Sequence, residues 1–138
     1  MNNNEPKKIG IRLAMTILYV RDQAQSTTFY KKVFGIDPVL EVPGMTQFTL
    51  ENGASIGLMP EKGIKSLLGG GLPDPAPGNG IPRAEIYLLV FEPEIFHTRV
   101  LAAGGTEVSP LEARPWGDKV AYSLDPDGHV LAFALSGN

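Results

Sequence analysis

Few residues in this 138-residue chain can do chemistry: two histidines, His97 and His129, one tryptophan, Trp116, and no cysteine. The lack of cysteine excludes disulfides, thiolate metal sites and a cysteine nucleophile, and points toward a reducing compartment. Two histidines leave little material for a metal centre, because a catalytic metal draws on about three His, Glu or Asp ligands plus an open position. Neither histidine is placed beside a serine by the sequence, and there is no Gly-x-Ser-x-Gly elbow, so a hydrolytic triad has no footing. Gly69-Gly70-Gly71 lacks the Gly-x-x-x-x-Gly-Lys-Ser/Thr order of a phosphate loop. Glu85 stands apart. A carboxylate inside an apolar run must be solvated, paired with a cation such as Arg12 or Arg83, or held partly protonated, and the ion pair is the expected case. Burial would raise its pKa and suit it to general-base work.

Such residues have to be positioned by a single domain of ordinary size, given that domains cluster at roughly 100–150 residues. With 43% apolar and 20% charged residues the chain should fold as a soluble globule with a true core. Twelve Lys+Arg against 15 Asp+Glu give a net charge of −3, which argues against a nucleic-acid footprint. The polar start, Met1 to Lys8, reads as a frayed leader without the apolar run of a signal peptide or membrane span, and the expected location is cytoplasmic. Gly and Pro are densest from Glu61 to Pro82, a stretch too broken for a strand and too long for an ordinary connection. It is either a linker or a lid, with Ile64, Leu67 and Leu68 forming one short amphipathic turn.

The halves flanking that stretch repeat each other. Leu13 to Val20 is a β-rich run, followed by a helix in which Phe29 and Val33, and Tyr30 and Phe34, are spaced i, i+4 and which Gly35 stops. Strands are expected at Pro38 to Val42, Met45 to Leu50 and Ala54 to Met59, the last two joined through Asn52-Gly53. In the second half Ala84 to Val90 is β-like, and Glu92-Pro93 opens a helix striped by Phe96, Val100 and Ala103 and closed by Gly104-Gly105. Strands at Thr106 to Val108, Lys119 to Leu124 and His129 to Leu135 complete it, the last two turned by Asp125-Pro126-Asp127-Gly128. Met15 matches Glu85 and Gly35 matches Gly105 at an offset of 70, and Gly53 matches Gly128 at 75.

These features resemble the vicinal oxygen chelate superfamily, which holds glyoxalase I, extradiol dioxygenases, fosfomycin-resistance transferases and bleomycin-resistance proteins. The resemblance rests on Leu18-Tyr19-Val20-Arg21-Asp22, Phe29-Tyr30, Phe34-Gly35, Ala102-Ala103-Gly104, Pro115-Trp116-Gly117 and Asp125-Pro126-Asp127-Gly128-His129, spread from Arg12 to Leu135. It implies an α+β fold of two βαβββ modules, residues 11–60 and 83–136, joined by residues 61–82. Their mixed sheets would form an open cup with the helices outside, commonly completed in a homodimer.

The resemblance also implies where a divalent metal would be held: Met15 and Glu85 on the first strands, Gly57 and Ala132 on the last. Only Glu85 can ligate such an ion, so no metal is expected. Alternation along the last strand turns His129 away from Ala132, leaving it a turn-edge residue, and His97 is expected to be a solvated helix residue. What remains is an apolar cup. Met15, Ile17 and Tyr19, with Ser55, Gly57 and Met59, and Glu85, Tyr87 and Leu89, would line it; Leu18, Val20, Ile56, Leu58, Ile86, Leu88 and Val90 would face the helices. Met15 and Met59 read first as packing that fills a vacated metal site. The expected ligand-binding set is Met15, Ile17, Tyr19, Met59, Glu85, Tyr87, Trp116 and Ala132, with Trp116 at the rim and Glu85 as the one candidate catalytic group. Met and Tyr surfaces beside a carboxylate favour a cationic or amphiphilic small molecule, and sequestration is the expected role. A metal-dependent lyase, isomerase or dioxygenase is the alternative.

Overall fold

The computed structural model describes residues 9–138; the expected leader, Met1 to Lys8, lies outside them. The first module runs β1 (Met15–Val20), α1 (Gln23–Phe34), β2 (Leu40–Val42), β3 (Met45–Thr49) and β4 (Ser55–Pro60). The second runs β5 (Glu85–Leu89), α3 (Pro93–Ala102), β6 (Thr106–Ala113), β7 (Lys119–Leu124) and β8 (Val130–Leu135). The sheets have the matching orders β1-β4-β3-β2 and β5-β8-β7-β6, each with one parallel pair, so the α+β fold of two βαβββ modules is observed.

Local chemistry sets the boundaries. Asp22 caps α1 by accepting the Gln25 backbone N–H at 3.0 Å, and Gly35 ends the helix in the left-handed region at φ 68°. Pro93 opens α3, where its missing N–H costs nothing. The sixth strand is longer than the expected Thr106 to Val108. It continues to Ala113 through two register shifts against β7, an irregularity that an edge strand carrying Pro110 tolerates.

The stretch 61–82 is not structureless. Its first eight residues form α2 (Glu61–Leu68), a fuller helix than the single expected turn, with Ile64 buried and Leu67 and Leu68 exposed. The Lys65 ammonium then donates to the carbonyls of Gly69 (2.7 Å) and Leu72 (2.6 Å), folding the chain back on its own helix end. No helix among the described residues is long and apolar enough to cross a membrane.

One core joins the modules. Leu18, Val20, Ile56 and Leu58 from the first sheet share a cluster with Phe29, Tyr30 and Val33 of α1, Val100 of α3, and Leu131 and Phe133 of β8. Ile86, Leu88 and Val90 pack against it, so the expected helix-facing set is observed, and α1 touches α3. Beside this core is a polar clasp. The buried Tyr30 hydroxyl donates to Asp125 Oδ2 at 2.6 Å, while Asp125 Oδ1 accepts the backbone N–H groups of Asp127 and His129. Asp127 in turn accepts from the Arg21 backbone N–H (2.9 Å), the Arg21 guanidinium (3.1 Å) and the Ser26 hydroxyl (3.1 Å). The second module's hairpin is thereby locked to the first module's helix.

One histidine differs from expectation. His97 is buried, not solvated: its Nε2 lies 2.8 Å from Glu107 Oε2 on β6 because α3 packs that helix face on β6 and β7. His129 is more than a turn-edge residue, since its Nε2 donates to the Tyr19 carbonyl at 2.9 Å and ties the start of β8 to the end of β1.

Candidate functional site

Each sheet has a helix-bearing face and an open one, and strand alternation puts the expected site residues on the open faces. On the first module Met15, Ile17 and Tyr19 of β1 stand opposite Ser55, Gly57 and Met59 of β4. Gln47 faces Gly57 from β3. The missing side chain of Gly57 is filled by its neighbours: a Cβ there would meet the sulphurs of Met45 at 3.2 Å and Met15 at 3.4 Å, and Ile17 Cγ1 at 3.2 Å. This face holds thioethers, aliphatic carbon and amide or hydroxyl groups.

The second module's open face is different. Glu85, Tyr87 and Leu89 of β5 run beside Val130, Ala132 and Ala134 of β8, with Tyr122 of β7 opposite Ala132. Ala132 is fully buried, packed with Val120, Ala134 and Tyr122, and so forms the floor of this face. Glu85 is exposed and pairs with no cation among the described residues, which places it in the solvated case rather than the expected ion pair.

Tyr87 and Trp116 are brought together. The Trp116 indole N–H donates to the Tyr87 hydroxyl at 2.9 Å, and that hydroxyl donates to Asp118 Oδ2 at 2.6 Å. Asp118 Oδ1 also accepts the Gly137 backbone N–H at 3.3 Å. Partial desolvation and the Asp118 carboxylate raise the Tyr87 pKa, keeping the phenol a donor. Both rings remain accessible, Trp116 at 57% and Tyr87 at 38% exposure. An aromatic pair with one carboxylate at its edge and Glu85 two residues along the strand can accept an apolar group that carries positive charge.

Sequence reasoning missed three members of this face. Asp118 gave a signal, being polar and next to the Trp116-Gly117 turn. Tyr122 follows from the alternation already applied to the other strands. Arg114 gave none: its guanidinium sits 5.1 Å above the Tyr122 ring and donates to Ser109 Oγ (2.7 Å) and the Val120 carbonyl (2.8 Å), with Glu112 3.5 Å away.

A divalent metal does not suit these faces. Met15, Gly57 and Ala132 offer no hard or borderline donor, and Glu85 stands without a second carboxylate or imidazole beside it. Among the described residues no three His, Asp or Glu side chains converge. The chain also has a groove of about 710 Å³ away from the open faces, between Gln23, Thr27 and Lys31 of α1 and Glu41, Val42 and Pro43 at the β2–β3 hairpin.

Comparison with known proteins agrees with this architecture. The profile described as the Glyoxalase/Bleomycin resistance protein/Dioxygenase superfamily matches residues 12–133. An uncharacterized protein of Mycobacterium bovis is 31% identical over 115 residues, covering 81% of this chain and 75% of its own. A hypothetical protein from S. aureus superposes with a TM-score of 0.74 at 22% identity, covering 91% of this chain and 94% of that one. A glyoxalase-related enzyme from Fulvimarina pelagi gives 0.72 at 25% identity, with 91% and 88% covered.

Proposed function

We propose that this chain, which belongs to the Glyoxalase/Bleomycin resistance protein/Dioxygenase superfamily, binds a cationic or amphiphilic small organic molecule without a divalent metal. It does so as a cytoplasmic homodimer, with sequestration as its role. The observation that carries this reading is the Trp116–Tyr87–Asp118 hydrogen-bonded set: two accessible rings are held in place, and a carboxylate is anchored at their edge. Aromatic faces attract a cation by about 0.5–2 kcal/mol, more as water is excluded. Exclusion of water is what a second copy would supply. Leu89, on the same strand face as Tyr87, is 63% exposed, and contiguous apolar surface left open marks an interaction site. The opposing wall would be the uncharged, thioether-rich face of the first module, suited to the apolar part of the guest.

Trp116 is the sole tryptophan, so its fluorescence reports on this wall alone. Titration with alkyltrimethylammonium ions below their micellar concentration should quench it saturably, and matched alkyl sulfates should not. Quenching should weaken in Tyr87→Leu and Glu85→Gln. Equal quenching by both headgroups, or none by either, overturns the proposal. Protein purified without chelator that carries stoichiometric nickel, zinc, iron or manganese, lost in Glu85→Ala, overturns its metal-free part. Sedimentation at micromolar concentration should give the mass of two chains.

A further inference from the structure

The first module's open face lacks nitrogen and carboxylate donors, yet it is rich in another kind. The chain has four methionines, and Met15, Met45 and Met59 all lie on this face. Met15 is on β1, Met59 on β4 and Met45 on β3, next to the Thr46 that pairs with Leu58. The sulphurs of Met15 and Met45 reach over the same bare backbone, 3.4 and 3.2 Å from the point a Gly57 Cβ would occupy. Their separation therefore cannot exceed the sum of those two distances. Met59 follows Gly57 by two residues on the same face of the same strand, so its flexible side chain can swing toward that point. All three are only partly buried, so an ion can reach them from solvent.

We infer that Met15, Met45 and Met59 form a thioether site for a soft monovalent ion, Cu(I), centred above Gly57. Thioether sulphur is a soft ligand that selects Cu(I) over the hard and borderline divalent ions. The donor chemistry that turns away zinc or manganese is therefore the chemistry that accepts this ion. Gly57 matters because any side chain there would press on both sulphurs, and on Ile17 Cγ1, which lies 3.2 Å from the same point. The inference does not depend on the organic ligand or on dimerisation.

Its test is an anaerobic titration of the whole chain with Cu(I) against the chromophoric chelator bicinchoninate, repeated with Ag(I) on protein carrying 13C-labelled methionine methyls. One equivalent should be withheld from the chelator, and the methyl resonances of Met15 and Met45 should shift on silver binding. Met15→Leu and Met45→Leu, near volume-conserving changes that a packed face tolerates, should each weaken binding at least about tenfold, the loss that even outer-sphere changes at metal sites produce. Thermal melting confirms that these variants are folded. A chelator that strips all the copper, a response at Met1 alone, or unchanged affinity in the Met15→Leu/Met45→Leu double variant overturns the inference.

Discussion

Replacing Tyr30 by Phe removes one atom from the clasp between the modules and leaves the ring packing in place, so it isolates one hydrogen bond. Tyr30 is fully buried and Asp125 is 4% exposed, so water cannot readily replace the lost hydroxyl. Asp125 keeps two backbone N–H donors but loses its 2.6 Å partner. A hydrogen bond to a charged group is worth about 1.5–3 kcal/mol, and for a chain of this size that lowers Tm by roughly 5–12 °C. The loss should depend on pH. Burial raises the Asp125 pKa above its ordinary value despite the opposing His129 charge and the Tyr30 and backbone hydrogen bonds. A carboxyl with a raised folded pKa contributes stability that is fully present below its unfolded pKa, about 3.9, and is lost as pH rises through the folded value. Losing the Tyr30 donor raises that folded value further, so the Tyr30→Phe deficit should shrink on acidification from neutral pH through the titration of Asp125. Asp125→Asn is the control. Its amide oxygen can serve the backbone donors and its NH2 the Tyr30 oxygen, so its cost should stay below about 1 kcal/mol and vary little with pH. Urea unfolding followed by circular dichroism at steps from pH 7 down to pH 4, at fixed protein concentration, reads all three proteins. A Tyr30→Phe cost under about 0.5 kcal/mol at pH 7, or one that does not change across that range, refutes the reasoning.

Two glycines share a backbone conformation but not their surroundings, and alanine should tell them apart. Gly53, at φ 91°, faces open space, so Gly53→Ala should cost about 1–2 kcal/mol for the left-handed conformation alone. Gly128, at φ 90°, would set a Cβ 2.5 Å from the Gly80 carbonyl oxygen. Gly128→Ala must then displace backbone as well, and its unfolding midpoint should fall clearly below that of Gly53→Ala; equal midpoints would contradict the close approach. Lys65→Met keeps the stem of the side chain but removes the two hydrogen bonds to Gly69 and Leu72. Backbone amide exchange over residues 69–80 should quicken while β1 and β4 stay protected, and unchanged exchange would show that the segment is held by other contacts.

The repeat was legible in the sequence because its signals are local. Gly35 and Gly104 mark helix ends, Asn52-Gly53 and Asp127-Gly128 mark hairpins, and period-2 alternation separates Leu18 and Val20 from Ile17 and Tyr19. What stayed hidden depends on which surfaces meet. Nothing near His97 in sequence reveals that α3 turns it onto β6, beside a Glu107 ten residues away. The segment after Pro60 is full of helix breakers, yet Glu61–Leu68 is helical because Ile64 is buried there and Lys65 satisfies carbonyls beyond the helix end. On the candidate site, alternation found Tyr87, but the Asp118 carboxylate that holds its hydroxyl comes from a turn whose path strand periodicity does not describe. Arg114 is the extreme case, an arginine folded over an aromatic ring on a face expected to be apolar.

The repeat is also broken where it matters most. At the offsets that align the modules, Tyr30 corresponds to Val100, Asp125 to Leu50 and Arg21 to Phe91. One arm of the pseudo-symmetric junction is thus a hydrogen-bonded clasp, while on the other Val100 and Leu50 join the shared core and Phe91 is left 97% exposed. Apolar contacts alone tolerate sliding, because a displaced methyl group finds other carbon. A displaced Asp125 would be a buried carboxylate without its donors, at a cost of about 1–3 kcal/mol or more. The clasp therefore fixes the angle between the modules. His129 carries the same constraint to the carbonyl of Tyr19, a residue of the first open face. The polar arm should accordingly govern how the two open faces are presented as well as how stable the chain is. That separates two measurements: Asp127→Ala should loosen quenching of Trp116 by ammonium ligands, whereas Phe91→Ser should leave the unfolding midpoint where it was.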